Sequence, residues 1–260
     1  MHIQVLGGYG AEFYSIKNKC EKRYRPTGFL LNQSVVFEAG TICGALTLSE
    51  LTAIRSVFLS HAHLDHLQGL AYLAETLYDR IDQPITVFGL EETIQTLRHH
   101  FFNNRLWPDF TRLPTEVAPV LRYQTMEEGI PVTAGDIHLI PIPVNHTVPT
   151  AGFIIDDGQA AIAFSGDTHK TEALWERVSQ IPYLKAAFIE CSFPDRFSQL
   201  AYDSGHLTPS LVYQEFKKIN RPSLTLYVYH AKPAHLKDIR KEIKRLGNAH
   251  MIDDGETLNL

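Results

Sequence analysis

Short apolar runs of strand length recur through both halves of the chain. The first half carries them at residues 1–6, 28–31, 34–37, 57–59 and 85–88. In the second half they fall at 137–140, 140–144, 152–155, 160–164, 187–190, 224–230 and 250–252. Runs this short, rich in branched and aromatic residues and bounded by turn residues, read as buried strands. Helical spacing replaces them over 67–78, 91–100, 171–178, 209–218 and 233–246. Thr208 before Pro209 predicts an N-cap with proline at the first helical position. No fixed-period repeat, low-complexity tract or linker divides the chain, so residues 1–260 read as one domain. Strands clustered in both halves with helices between them are what an αββα sandwich, two mixed sheets flanked by helices, would produce.

Polar residues of one chemical kind collect where these runs end. After the run at 57–59 comes Ser60-His-Ala-His-Leu-Asp-His66, three imidazoles and a carboxylate in close succession. Neutral imidazole and carboxylate are the ligands that borderline divalent ions prefer. From an extended segment His61 and His63 point the same way, while Asp65 and His66 turn toward a neighbouring position. That suits two ions roughly 3.5–4 Å apart. His146 follows another apolar run, Asp167 closes a third within Ser165-Gly-Asp-Thr168, and His230 ends a fourth. Taken singly, each has an ordinary reading: a lone histidine after a strand is a surface or core residue, and an Asp in a Gly-Asp-Thr turn is a turn residue. Residues at one edge of a layered fold converge even when distant in sequence, and together the set reads as a metal site.

The motifs His61-Ala-His-Leu-Asp-His66, His146, Gly166-Asp167-Thr168 and His230 resemble those of the metallo-β-lactamase superfamily. Within it, the stretch 61–70 is similar to the signature of class II 3′,5′-cyclic-nucleotide phosphodiesterases. Residues 103–114, 192–196 and 204–210 are similar to bacterial members of that branch. The resemblance spans nearly the whole chain and implies the metallo-β-lactamase fold. By the family's pattern His61, His63 and His146 would hold one ion, Asp65, His66 and His230 the other, and Asp167 would bridge them. Zinc is the expected ion, with manganese or iron compatible with the same ligands. A hydroxide shared by two such ions is a nucleophile at neutral pH and would attack phosphorus in line. His206, in Gly205-His-Leu-Thr208, matches the His-x-Thr histidine with which related phosphodiesterases protonate the leaving oxygen. Asp65 would also orient the nucleophile, and Glu190 either buttresses a histidine or merely ends a strand.

Two further features point toward substrate. Lys232 would meet a phosphate as a point charge, or simply begin a helix. The stretch 99–110 carries His99, His100, Phe101, Phe102, Asn103, Asn104, Arg105, Trp107 and Phe110. Its aromatic faces and amides, Asn103 and Trp107 above all, suit a purine pocket, a dimer contact or a packed lid equally. His2, His138, His169, His235 and His250 lie outside the motif set and read as structural or exposed.

The net charge of −5 supplies no long-range attraction for nucleic acid or an anionic membrane. No apolar run approaches the length of a membrane span, and the three cysteines, Cys20, Cys43 and Cys191, show no paired spacing and read as buried structural residues. A cytoplasmic enzyme acting on a small cyclic nucleotide, with homodimerisation open, is the expectation. A tRNA 3′-processing endonuclease shares the motifs. The short stretches joining His146, Asp167 and Glu190 leave no room for a basic tRNA-binding arm. A thioester or lactone hydrolase would use the same ions on carbonyl carbon, but has less need of His206. A non-catalytic scaffold would not be expected to keep every ligand.

Overall fold

The computed structural model describes residues 1–17 and 20–260, with side chains left aside at 16, 17, 20 and 21, so the expectation for the Cys20 side chain lies outside the described residues. In chain order the first half forms β1 (His2–Gly7), β2 (Phe13–Lys17), β3 (Cys20–Tyr24), β4 (Gly28–Leu31) and β5 (Val35–Ala39). Then come α1 (Leu48–Ala53), β6 (Ser56–Phe58), α2 (Leu64–Leu67), α3 (Gly69–Thr76), β7 (Ile85–Gly89), α4 (Glu91–Thr96) and β8 (Leu121–Thr125). The second half opens with β9 (Val132–Ala134), β10 (Ile137–Val144), β11 (Thr150–Asp156), β12 (Ala161–Phe164), α5 (Ala173–Ser179) and β13 (Leu184–Glu190). It ends with α6 (Ser198–Asp203), α7 (Pro209–Lys218), β14 (Thr225–Tyr229), α8 (Leu236–Ile243), β15 (Ala249–Met251) and β16 (Thr257–Asn259).

One seven-stranded sheet has the order β16–β1–β4–β5–β6–β7–β8, and a second has β15–β14–β13–β12–β11–β10–β9; β2 and β3 pair apart as a ribbon. Both sheets are mixed. From β5 to β8 neighbours run parallel, as they do from β12 to β15. β10 and β11 continue the second sheet antiparallel, so β10, β12, β13 and β14 all point the same way. The sheets pack face to face through alternate residues of each strand. Phe164 stacks on Phe188 with ring centres 4.6 Å apart and meets Phe29 edge-on at 4.8 Å, while Phe37 lies 5.0 Å from Phe153. The other face of β6 and β7 presents Val57 and Val87 to the α3 residues Leu70 and Leu73. Behind the second sheet, Val212 and Phe216 of α7 and Leu236, Ile239 and Ile243 of α8 cover Val228 and Ala187. Four layers result, helix, sheet, sheet and helix, as the pattern predicts.

Local departures from expectation have physical reasons. The helix expected at 67–78 begins earlier, inside the histidine motif, and breaks between α2 and α3. The one expected to 100 ends as α4, and residues Leu97–Phe101 widen into a π-helical turn. Pro141 and Pro143 sit within β10, where β9 pairs only as far as Leu139. The Pro141 carbonyl faces away from β11, accepting from Gly129 N at 2.7 Å, so the missing N–H costs no ladder bond. Thr208 has the extended backbone of an N-cap and Pro209 opens α7, yet the Thr208 side chain makes no capping bond. Asp195 caps instead, accepting from Ser210 N at 2.9 Å and from its hydroxyl at 2.6 Å. α1 carries a capping box between Thr47 and Glu50, a signal present in Thr47-Leu-Ser-Glu50. Among the described residues no helix is long and apolar enough to cross a membrane.

Phe164→Ala is expected to destabilise the fold by about 3–5 kcal/mol, because its ring is wholly enclosed between the sheets. Urea unfolding measures it, and a loss below about 1 kcal/mol would show that the inter-sheet layer repacks freely.

Candidate metal centre

Because β6, β10, β12, β13 and β14 deliver their C-terminal ends to one edge, the residues that follow them meet there. Ser60 and His61 follow β6, and His63 stands at the N-cap of α2, still extended. Asp65 and His66 lie in the first turn of α2, so the motif changes from strand-like to helical halfway along and splits its ligands between two directions. His146 follows β10, Asp167 follows β12, Glu190 ends β13 and His230 follows β14. Glu38 near the end of β5 and His230 both have positive φ, 60° and 65°. Such non-glycine conformations cost of order 1–3 kcal/mol and persist where surrounding contacts impose them.

His61, His63 and His146 form one group whose ligand atoms all lie within 4.8 Å of one another; Asp65, His66 and His230 form a second, and His61, His66 and Asp167 a third that joins them. His63 Nδ1 is 3.2 Å from His146 Nε2, and His66 Nε2 is 3.0 Å from His230 Nε2. Asp167 Oδ2 lies between the two halves, 3.2 Å from His66 Nε2, 3.3 Å from His230 Nε2 and 3.9 Å from His61 Nε2. The outward nitrogens are held from behind: His61 Nδ1 by Ser60 Oγ at 2.9 Å, His146 Nδ1 by the Gly205 carbonyl at 2.9 Å, and His230 Nδ1 by Ser192 Oγ at 3.0 Å. Glu38 Oε2 stands 3.1 Å from His66 Nδ1, off the hydrogen-bond direction. Such partners fix which nitrogen turns its lone pair inward. Gly205, at φ 69°, passes so close to His146 that a Cβ there would sit 2.8 Å from Nδ1.

These residues fit a pair of metal ions. His61 Nε2 and Asp167 Oδ1 are buried with no hydrogen-bond partner, a costly state for a polar atom unless a cation engages it. Burial holds the imidazoles of His61, His63, His146 and His230 below the usual histidine range, and neutral imidazole is the ligating form. Burial opposes charge on Asp167, but His230 and His66 keep its carboxyl far below the usual range. Asp65 is lowered in the same way, burial being outweighed by a hydrogen bond from His230 and the charges of His66, His230 and Lys232. His66 runs the other way: burial would lower it, yet Asp167 and Glu38 push it well above the usual value. The cluster thus demands positive charge between its carboxylates, which bound divalent ions satisfy. His63, Asp65 and His146 are half-buried while His61, His66, Asp167 and His230 are enclosed, so the first three mark the open side.

His206 lies beside this cluster, not apart from it. Its ring centre is 5.0 Å from that of His146, and its Nδ1 is 2.8 Å from Glu190 Oε1 and 3.2 Å from Ser192 Oγ. Burial would lower the His206 imidazole, and Glu190 and Asp167 raise it instead. Of the two readings of Glu190, the geometry supports the buttress: it ends β13, and its carboxylate holds a histidine. Lys232 reaches Asp65 Oδ2 at 3.3 Å and the Gly10 carbonyl at 2.6 Å. Asn103 spends its polar atoms on its own turn, accepting from Arg105 N and Leu106 N and donating to the His99 carbonyl. Trp107 packs on the outer face of the first sheet, edge-on to Tyr72 at 6.1 Å. Glu38, Ser60 and Ser192 were not singled out in the sequence; Glu38, a carboxylate ending an apolar strand, carried the one available signal.

Stripping metal with a chelator is expected to lower Tm by several degrees, reversibly on adding zinc or manganese, since ions that bind only the folded chain stabilise it. Glu38→Gln is expected to weaken metal binding about 10–100-fold by removing the negative charge beside His66. Calorimetric titration checks both, and wild-type affinity in the variant would remove Glu38 from the site.

A family model described as beta-lactamase superfamily domain matches residues 38–230. A probable 3′,5′-cyclic-nucleotide phosphodiesterase from Yersinia pestis is 30% identical over 221 residues, 74% of this chain and 61% of that protein. The 3′,5′-cyclic-nucleotide phosphodiesterase 1 of Saccharomyces cerevisiae is 28% identical over 208 residues, 70% and 54% of the two chains. The aligned part is therefore less than two thirds of either relative. In architecture the chain is similar to the metallo-beta-lactamase fold protein YhfI from Bacillus subtilis, with a TM-score of 0.74 at 18% identity over 99% of both chains. Unliganded yeast PDE1 gives 0.74 at 20% identity over 100% and 99%. The matched family segment runs from Glu38, behind the cluster, to His230 at its heart, and with it the chain belongs to the metallo-β-lactamase superfamily.

Proposed function

We propose that this protein is a metal-dependent hydrolase that cleaves 3′,5′-cyclic nucleotides to 5′-nucleotides. The observation that carries the reading is His206, a buried imidazole held by Glu190 beside the two ligand groups and close enough to His146, Asp167 and His230 to share candidate groups with them. Cleavage breaks the bond from phosphorus to O3′, and the departing alkoxide, unlike a thiolate, needs a proton. Among the described residues Nδ1 is the ring nitrogen of His206 that makes hydrogen bonds, so Nε2 is the atom that would deliver the proton to O3′. Glu190 then stabilises the ring in its charged form and fixes its orientation. His61, His63 and His146 would hold one divalent ion, Asp65, His66 and His230 another, with Asp167 between them. Bound there, the ions supply Lewis acidity toward the phosphoryl oxygens and acidify water to a nucleophile at neutral pH. Asp65, on the open side, orients the attacking water.

The relatives named for cyclic-nucleotide phosphodiesterase activity support this substrate class over a thioester or a tRNA. The net charge of −5 also favours a small anion over a polyanion. Free Cys43 and Cys191 are consistent with a reducing, cytoplasmic setting.

Metal-loaded protein is to be incubated in parallel with cAMP, cGMP, a 3′-extended tRNA and an acyl thioester. Chelator-sensitive formation of 5′-AMP or 5′-GMP is expected; turnover of the tRNA or thioester alone would overturn the substrate assignment. His206→Ala is expected to slow cAMP hydrolysis about 10²–10⁴-fold but to affect a p-nitrophenyl phosphodiester far less. Equal losses on the two would contradict proton delivery by His206.

A further inference from the structure

We propose that Lys232 is a positioning residue that locks Asp65 onto the second ion site, with the Gly8–Gly10 turn as its anchor. It would not act as a contact for the substrate phosphate. Its ammonium is committed at both ends: Nζ donates to the Gly10 carbonyl at 2.6 Å and lies 3.3 Å from Asp65 Oδ2. The same carboxylate oxygen stands 3.4 Å from His230 Nε2, so Lys232 pulls on the oxygen that faces the second ligand group. Lysine and carboxylate are only about a quarter exposed, 26% and 27%, so solvent screens the pair less than a surface one.

The anchor is itself rigid and tied to the ligand His230. His230 N donates to the Gly8 carbonyl at 2.7 Å, and Gly10 N donates to the Ala231 carbonyl at 3.2 Å. A Cβ on Gly10 would fall 2.9 Å from His230 Nδ1, so only glycine lets this turn lie against the imidazole. From outside, Asp254 accepts from Gly8 N at 2.9 Å and from Arg25 N at 3.0 Å, and the Tyr9 hydroxyl bonds Asp253. The end of β1, the segment after β14 and α2 are thereby fastened together through one lysine. Asp65 follows the half-exposed His63 and the exposed Leu64, on the open side where its carboxylate is otherwise least confined. Orienting partners behind a ligand are worth about 10–100-fold in metal affinity.

The inference rests on the proposed assignment of Asp65, His66 and His230 to one ion, and its test does not depend on the substrate. Chelator-stripped wild type, Lys232→Met, Asp65→Asn and the double variant are titrated with Co2+, reading the visible absorption bands and the heat of binding. Lys232→Met is expected to bind the first ion as wild type does and the second about 10–100-fold more weakly. The double variant is expected to be no worse than Asp65→Asn alone, because the lysine acts through that carboxylate. Lys232→Arg, which keeps charge and folding, is expected to recover most of the loss. In steady-state assays on whichever substrate is turned over, kcat falls in Lys232→Met while KM holds. Wild-type affinity for both ions with a raised KM would overturn the inference in favour of a phosphate contact. Additive losses in the double variant, equal weakening of both ions, or no recovery with arginine would also overturn it.

Discussion

Burying charge and lone pairs at the meeting edge of two sheets is the constraint on which the structure turns. Asp167, His61, His66 and His230 are almost wholly removed from water, and several of their polar atoms face one another rather than complementary partners. Lone pairs set 3.0–3.3 Å apart in a dry site repel unless a proton or a cation lies among them. A proton satisfies part of that demand, as the raised His66 shows. Two divalent ions satisfy all of it, and the inner surface of the edge is shaped to receive them. The aromatic layer between the sheets anchors this edge, since Phe164 stands three residues before Asp167 and Phe188 two before Glu190.

Much of the fold was legible because strand and helix periods differ. The runs at 57–59, 160–164 and 224–230 became β6, β12 and β14, and their polar ends became the site. The ligand residues stood out because imidazoles and carboxylates cluster in one short loop and recur after apolar runs. What stayed illegible was mostly tertiary. β8 and β9 carry too few buried residues to mark themselves, and β2 and β3 form a ribbon outside both sheets. Ser192 gains its importance only from lying between His206 and His230, residues well separated from it in sequence. The aromatic stretch at 99–110 suited a purine pocket, a dimer contact or a packed lid equally because exposed and packed aromatics read alike in sequence. In the structure Phe102 and Phe110 are core, and Asn103 builds a turn.

The site has two tiers with different work. The inner tier presents candidate ligand atoms; the outer one, Glu38, Ser60, Ser192 and Gly205, stands behind the histidines at their outward nitrogens. Glu190 belongs to both, receiving Thr168 N and Leu207 N at 3.3 and 3.2 Å while pairing with His206. One carboxylate thereby couples the loop that carries Asp167 to the loop that carries His206. That coupling holds His206 at a set position relative to the candidate ligand groups. The superfamily's metal chemistry is general; the added imidazole with its carboxylate partner is the feature on which the proposed phosphodiester substrate rests.

A crystal structure of the metal-loaded protein, with anomalous scattering recorded at the metal's absorption edge, tests the central claim most directly. The account predicts two peaks roughly 3.5–4 Å apart, one among His61, His63 and His146, the other among Asp65, His66 and His230, with Asp167 touching both. A single peak, or ions bound elsewhere with His61 Nε2 still unpartnered, would contradict it.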